Sequence, residues 1–361
     1  MSTDLGTAPI QTRPGPGRRL FRAVRVLAWI LLFLWGCGIL RYGAPFAAPG
    51  ALANLGQLVL GVSWLTLALA MPRFHEQRPW RIASLTCLAA ILLGWSLSAP
   101  SNDRDWILGH DRLPRIGFER SAEGEPRLVT IENVRNHRYL SPTEATEQYQ
   151  TRTIDLQTVR DLDFIVIPFA KGWRGAAHTM LSFGFGEPGD DASAGGEPRL
   201  VISIEARRER GEEYAPLTGL FRRYEVCFVI ADEQDALALR VDHYDLPVLV
   251  HRTRATPEQA RKVFVALLEE AAERTERPAF YNTLFRNCTT GIVSAVARVL
   301  EESVPLDHRI VFPGYTDEIA YERGWLAAEG TLEEVRSAAT VPSIEPHPDS
   351  LTWSTRLRRG R

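Results

Sequence analysis

Three apolar runs crowd the first hundred residues, and they limit what this chain can fold into more than any other feature. Residues 26–40 are uncharged, and the run extends to Tyr42. Residues 51–71 hold only Asn54 and Gln57 as strongly polar members, and residues 82–97 form the third run. Each approaches the length that crosses a ~30 Å hydrocarbon core, the first and third with their flanks. Trp29, Trp35, Trp80 and Trp95 lie inside or beside the runs, partly as an interfacial aromatic belt would. The competing readings are a cleaved signal peptide for the first run and buried core helices for the other two. No small-x-small cleavage site follows the first run closely, and three such runs in succession favour three transmembrane helices.

Arginine placement sets the orientation, because short cytoplasmic segments carry the positive charge. Arg13, Arg18, Arg19, Arg22 and Arg25 precede the first run, Arg41 alone follows it, and Arg73, Arg78 and Arg81 lie between the second and third. This predicts a cytoplasmic tail over 1–20, a three-helix region over 21–99 and a multi-pass inner-membrane protein. Everything after Ser98 then lies in the periplasm. The mean hydropathy of −0.14 averages that apolar start with a polar remainder. With 45% hydrophobic and 24% charged residues, the chain is neither disordered nor collagen-like. A net charge of −2 argues against a nucleic-acid partner, which calls for a basic face.

Residues 100–126 are rich in Asp, Arg, Gly and Pro and read as a linker. Residues 127–340 read as the periplasmic domain, and 341–361 as a flexible tail. Alternation and buried apolar runs predict strands at 127–134, 163–169, 176–185, 200–205, 224–230, 238–242 and 246–251, with a hairpin loop at 186–198. Thr256-Pro-Glu-Gln259 is a capping-box start with Pro at the first helical position. Val263, Phe264, Leu267, Leu268 and Ala271 follow as one apolar stripe. A second helix begins after Asn287, with Ile292, Val293, Val296, Val299 and Leu300 inward. The class is α+β, an antiparallel sheet covered by helices on one side.

Four cysteines are too few for a disulfide scaffold, and none has metal-ligand spacing. Cys37 and Cys87 fall inside the apolar runs, and Cys227 in an apolar strand. Cys288 differs: it sits where a loop becomes a helix, with Asn287 as N-cap and Thr289 and Thr290 in the first turn. A thiol there meets the positive end of the macrodipole and free N–H groups, which favour the thiolate. The same N–H groups can hold an oxyanion. The competing reading is a buried small hydrophobe, and a Cys227–Cys288 disulfide is a lesser one.

A thiol nucleophile needs a base. His178 has small neighbours on its strand face (Ala176, Met180, Ser182 and Gly184), whereas His243 and His251 flank polar turns and read as solvated. Glu205 and then Ser203, together on one face of the next strand, are the candidates to orient the imidazole. A Glu205 salt bridge to Arg207 or Arg208 is the alternative. Tyr281, Asn282, Asn287 and Thr289 are candidate site or oxyanion support, or else fix the loop before the helix.

Asn133-Val-Arg-Asn136, His178-Thr-Met-Leu-Ser-Phe183, Ser203-Ile-Glu-Ala-Arg207, Tyr281-Asn282, Asn287-Cys-Thr-Thr290 and Phe312-Pro-Gly-Tyr-Thr-Asp317 resemble the DUF4105 family. That family is also described as the N-terminal periplasmic domain of Lnb, a lipoprotein N-acyltransferase. The resemblance covers about residues 127–330. The order His, polar strand residue, Cys at a helix start is also similar to the permuted NlpC/P60-like thiol enzymes, which are papain-like. The resemblance implies a Cys288 nucleophile, a His178 base, a phospholipid acyl donor and a lipoprotein amine acceptor. In Lnb the spans follow the domain, whereas here the apolar runs precede it. No GxGxxG, Walker A or HExxH motif is present, so no metal or organic cofactor is implied. The leading expectation is a membrane-anchored thiol acyltransferase with membrane lipids and lipoproteins as partners. A papain-like peptidase or amidase and a non-catalytic membrane module are the alternatives.

Overall fold

The computed structural model describes residues 16–43, 51–74, 77–122, 124–141, 144–186, 199–243, 246–302, 304, 307–341 and 350–358. The chain divides into two compact units, Met1–Ala99 and Pro100–Arg361.

The first unit holds three helices: α1 (Pro16–Tyr42), α2 (Ala51–Phe74) and α3 (Arg78–Ser96). They pack on one another through the Trp64 indole, which donates to the Phe33 carbonyl at 3.1 Å, and through an edge contact between Trp35 and Trp95. The polar Gln57 donates to the Leu40 carbonyl. Among the described residues one helix, Ala23–Tyr42, is long and apolar enough to cross a membrane, not three. Helix α3 opens on Arg78 and Arg81, which leaves too little uncharged length behind them.

The second unit is a mixed α+β domain. Its strands are β1 (Arg115–Arg120), β2 (Pro126–Arg135), β3 (Arg138–Ser141), β4 (Glu144–Thr146), β5 (Tyr149–Asp155), β6 (Val159–Ala170), β7 (Trp173–Phe185), β8 (Leu200–Arg207), β9 (Glu225–Asp232) and β10 (Leu249–Arg252). Eight of them form one sheet ordered β1-β2-β9-β8-β7-β6-β10, with β5 also on β2; β3 and β4 pair separately. The sheet is mixed rather than antiparallel throughout, because β2 meets β9 in parallel at Arg135↔Ala231. The segment expected to be a linker contributes β1, whose six-residue ladder on β2 extends the sheet. The strand expected at 238–242 is instead helical, from the end of α4 (Glu233–Ala238) into a π-helical turn, Leu239–His243. Most of the 186–198 loop lies outside the described residues.

The remaining helices are α5 (Pro257–Glu276), α6 (Cys288–Leu300), α7 (His308–Val311), α8 (Thr316–Glu322), α9 (Leu332–Ala339) and α10 (Ser350–Arg358). Helix α5 starts on the expected Thr256–Gln259 capping box. Its stripe of Val263, Phe264, Leu267, Leu268 and Ala271 packs on Leu181, Phe183, Ile202, Ile204 and Phe228. The opposite sheet face is also covered, contrary to the one-sided expectation: Met180, Val201 and Cys227 pack with Ala236 and Leu237 of α4 and with Trp353 and Leu357 of α10.

Helix α10 also corrects the expectation of a flexible tail. Trp353 and Leu357, four residues apart, are both 1% exposed. Arg358 bonds Asp163 at 2.7 Å and Glu233 at 2.6 Å, and Glu233 in turn accepts from Ser182 at 2.6 Å. Removing the Trp353 side chain leaves a cavity and unseats the helix. Trp353→Ala is expected to cost about 3–5 kcal/mol, read as a lowered thermal midpoint and as new protease cleavage within 350–358.

Candidate active site

The site forms where β7 and β8 part. Their ladder stops at Met180↔Ser203, while β8 continues against β9 as far as Arg207↔Glu225 and β7 against β6 as far as Ala170↔Trp173. His178 lies just past the end of the shared ladder, on the strand face of Met180, as alternation predicts. Cys288 belongs to the apolar cluster on the helix side, and the parting of the strands opens the imidazole to it.

Cys288 is the first residue of α6. Asn287 caps the helix in a complete capping box: its Oδ1 accepts from the Thr290 N–H at 2.9 Å, and its own N–H donates to Thr290 Oγ1 at 2.8 Å. The Gly291 N–H is taken by the Asn287 carbonyl at 3.1 Å. The Cys288 and Thr289 amides are then the first-turn donors that helix geometry leaves without an internal acceptor. One turn on, Gly291 lets α6 approach β8, since a Cβ there would stand 2.3 Å from Ile204 Cδ1.

His178 Nε2 lies 2.6 Å from Ser203 Oγ and 3.1 Å from Glu205 Oε1, and Ser203 donates to Glu205 at 2.8 Å. With Nε2 engaged by this pair, Nδ1 is the nitrogen left for the thiol. Glu205 therefore orients the ring, and Ser203 joins the same network. Glu205 also meets Arg240 at 3.5 Å. Sequence reading missed Arg240, because the π-helical turn that aims it was read as a strand. Glu205 pairs with His178 and Arg240, not with the neighbouring arginines 207 and 208.

The electrostatics follow from these contacts. Burial pushes the Cys288 thiol up, but the His178 charge, a hydrogen bond to His178 and bonds from Thr179 outweigh it and bring the thiol down to about 7. Burial alone lowers His178, yet Glu205 and Cys288 raise it to about 10. Burial raises Glu205, and the neighbouring His178 and Arg240 charges hold it well below the usual carboxylate range. The shifts run in the direction of a thiolate–imidazolium pair backed by a carboxylate. Cys227 is the contrast: burial raises its thiol to about 12. Both cysteines are free, so no disulfide joins them.

The supporting candidates divide. Tyr281 is buried, lies 3.3 Å from the Tyr214 hydroxyl and is raised by burial and by the Cys288 charge, so it borders the thiol. Tyr214, absent from the sequence reading, has the same proximity and is raised to about 12, chiefly by burial. Thr289 Oγ1 lies 3.1 Å from Thr179 Oγ1 and 3.8 Å from Cys288 Sγ, pinning the first turn of α6 to β7. Asn282 does not serve the thiol: its Oδ1 accepts from the Leu284 and Phe285 N–H groups and closes the preceding loop. Asn287 is likewise committed, its Nδ2 donating to the Thr283 carbonyl at 2.6 Å. His251, expected to be solvated, is 2% exposed, and its imidazole stands 3.7 Å from Asp317. Among the described residues no group of three or more His, Cys, Asp or Glu is placed to hold a metal ion.

Glu205→Gln removes the charge that raises His178. The imidazole pKa should fall and the thiol pKa should rise, because a less persistent imidazolium stabilises the thiolate less. The check is the pH dependence of iodoacetamide alkylation of Cys288. In the wild type it should rise with pH through about 7, and in the variant its midpoint should move to higher pH.

No curated protein matches the chain, and no solved structure does. A family model does match, over residues 145–314, and it takes in His178, Ser203, Glu205, Arg240, Tyr281 and Cys288 while leaving the N-terminal helices outside. The periplasmic setting of that family and the apolar helix Ala23–Tyr42 agree with a membrane-anchored periplasmic protein. The matched segment, which carries the whole Cys288–His178–Glu205 arrangement, is similar to the family described as the Lnb N-terminal periplasmic domain.

Proposed function

We propose that the domain is a thiol acyltransferase held at the periplasmic face of the inner membrane. The observation that carries this reading is the position of Cys288 at the first turn of α6, beside a His178 that Glu205 holds charged. The Cys288 thiolate attacks the ester carbonyl of an acyl donor, and a sulfur–carbon bond forms as the Cys288 and Thr289 amides receive the oxyanion. The ester carbon–oxygen bond breaks, and the His178 imidazolium gives its proton to the departing alcohol. An amine then attacks the acyl-thioester, His178 takes its proton, and the thiolate leaves.

The donor read from the family is a phospholipid and the acceptor a lipoprotein α-amine. A thiolate in a buried, apolar surround suits an acyl chain. Tethering raises the concentration of bilayer-borne substrates around the site. The five arginines ahead of the apolar run that starts at Val26 favour a cytoplasmic N-terminus, and any odd number of crossings leaves the domain outside.

The test supplies the full chain in phospholipid vesicles carrying a labelled acyl chain, together with a lipopeptide bearing a free amine. Label should move to the lipopeptide. Release of peptides from cell-wall material without lipid labelling would instead establish a peptidase or amidase, and neither reaction would leave a non-catalytic module.

A further inference from the structure

Seven large apolar side chains are exposed among the described residues after Ala99, and six of them sit on four loops at the Cys288 end of the sheet: Phe169, Trp173, Leu217, Leu284, Phe285 and Phe312. The seventh, Leu140, belongs to the separate β3–β4 pair. Direct contacts tie these loops to the site. Phe169, at the end of β6, packs edge-on against the Tyr214 ring at 5.9 Å, and Tyr214 meets Tyr281. Thr283 donates to the Pro216 carbonyl at 2.6 Å, which joins the Leu217 loop to the Leu284–Phe285 turn. That turn is closed by Asn282 and held to the N-cap of Cys288 by Asn287. On the other flank, Arg174 of β7 donates to the Gly314 carbonyl at 3.1 Å. Gly314 packs so closely there that a Cβ would meet the Arg174 carbonyl, which fixes Phe312 beside the β6–β7 turn.

Exposed apolar side chains gathered on neighbouring loops are the mark of a binding surface. Its aromatic content is that of side chains which settle at a bilayer interface. Two exposed cations adjoin the apolar residues in the chain, Lys171 at the tip of the β6–β7 turn and Arg286 beside Phe285, and anionic lipid phosphates would suit them. The same chain carries a helix, Ala23–Tyr42, long and apolar enough to cross a membrane, which would tether the domain to a bilayer.

We infer that these loops form a lipid-docking face: the rim seats in the outer leaflet of the inner membrane and delivers a phospholipid acyl ester to Cys288 without its leaving the bilayer. This rests on the acyl-transfer reading for its purpose, but docking is testable apart from it.

The experiment places a photo-crosslinking benzoylphenylalanine in turn at positions 285, 173 and 140 of the full chain in phospholipid nanodiscs. Mass spectrometry should find phospholipid adducts at 285 and 173 and none at 140. Lipid adducts no more frequent at 285 and 173 than at 140, or adducts there to protein instead of lipid, would overturn the proposal. In parallel, Trp173→Ser with Phe285→Ser should lower acylation of Cys288 from bilayer phospholipid by about tenfold. Acylation by a water-soluble short-chain ester should be unchanged. An equal loss with both donors would also overturn it. Lipid adducts at 285 and 173 without any acylation of Cys288 would uphold docking while rejecting acyl transfer.

Discussion

Cys288→Ser is expected to reduce acyl transfer by about 10^4-fold or more. A serine hydroxyl in the same place has no thiolate to offer at neutral pH. The environment that brings the Cys288 thiol to about 7 is far from enough to ionise an alcohol. The fold should survive the change, because the side chain is nearly isosteric and the helix start is held by Asn287 and Thr290, not by the sulfur. The variant should therefore retain the wild-type thermal midpoint while losing both labelled thioester and product. Transfer that persisted in Cys288→Ser at more than about a tenth of the wild-type rate would place the nucleophile elsewhere.

His178→Ala is expected to cost about 10^4-fold, equivalent to about 5.5 kcal/mol of transition-state stabilisation. Two losses combine. The thiol loses its main stabilising charge, so burial dominates and its pKa climbs back above the ordinary value. The departing alcohol also loses its proton donor. The two are separable by experiment. Raising the pH should restore alkylation of Cys288 by iodoacetamide in the variant, since the thiolate then forms without help. Acyl transfer should not recover in parallel, because the proton donor is still missing. In the wild type, transfer should rise with pH through about 7, as the thiolate forms, and fall above about 10, as His178 loses its proton.

Much of this site is legible in the residues, because its parts obey local rules. Cys288 announces itself through a polar N-cap followed by small first-turn residues, and the helix begins at that residue. Alternation sorts His178 onto the Met180 face and Ser203 with Glu205 onto one face of β8, and all three meet in space. Alternation misleads where local and tertiary preferences diverge. The pattern of residues 238–242 alternates like a strand, yet this segment caps the end of α4 as a π-helical turn. Arg240 reaches Glu205 only because of that turn.

Position within the fold also hides from sequence. His251 lies near the end of β10, next to a polar turn in the sequence, and only the packing of Asp317 against it shows that it is buried. The tail around α10 is rich in Ser, Pro and Arg, which masks the Trp353–Leu357 pair that docks it. Hydropathy reports apolar character without its extent along a helix. All three N-terminal runs become helices, and among the described residues one of them is long and apolar enough to span.

The central claim is that Cys288 carries the acyl group during turnover. The most direct measurement is intact-protein and peptide mass spectrometry of the full chain after brief incubation with phospholipid vesicles and no amine acceptor. The account predicts a mass increase of one acyl group, located on the peptide containing Cys288, removed by hydroxylamine and lost in Cys288→Ser. An unmodified Cys288, or an acyl group found on any other residue while transfer proceeds, would contradict it.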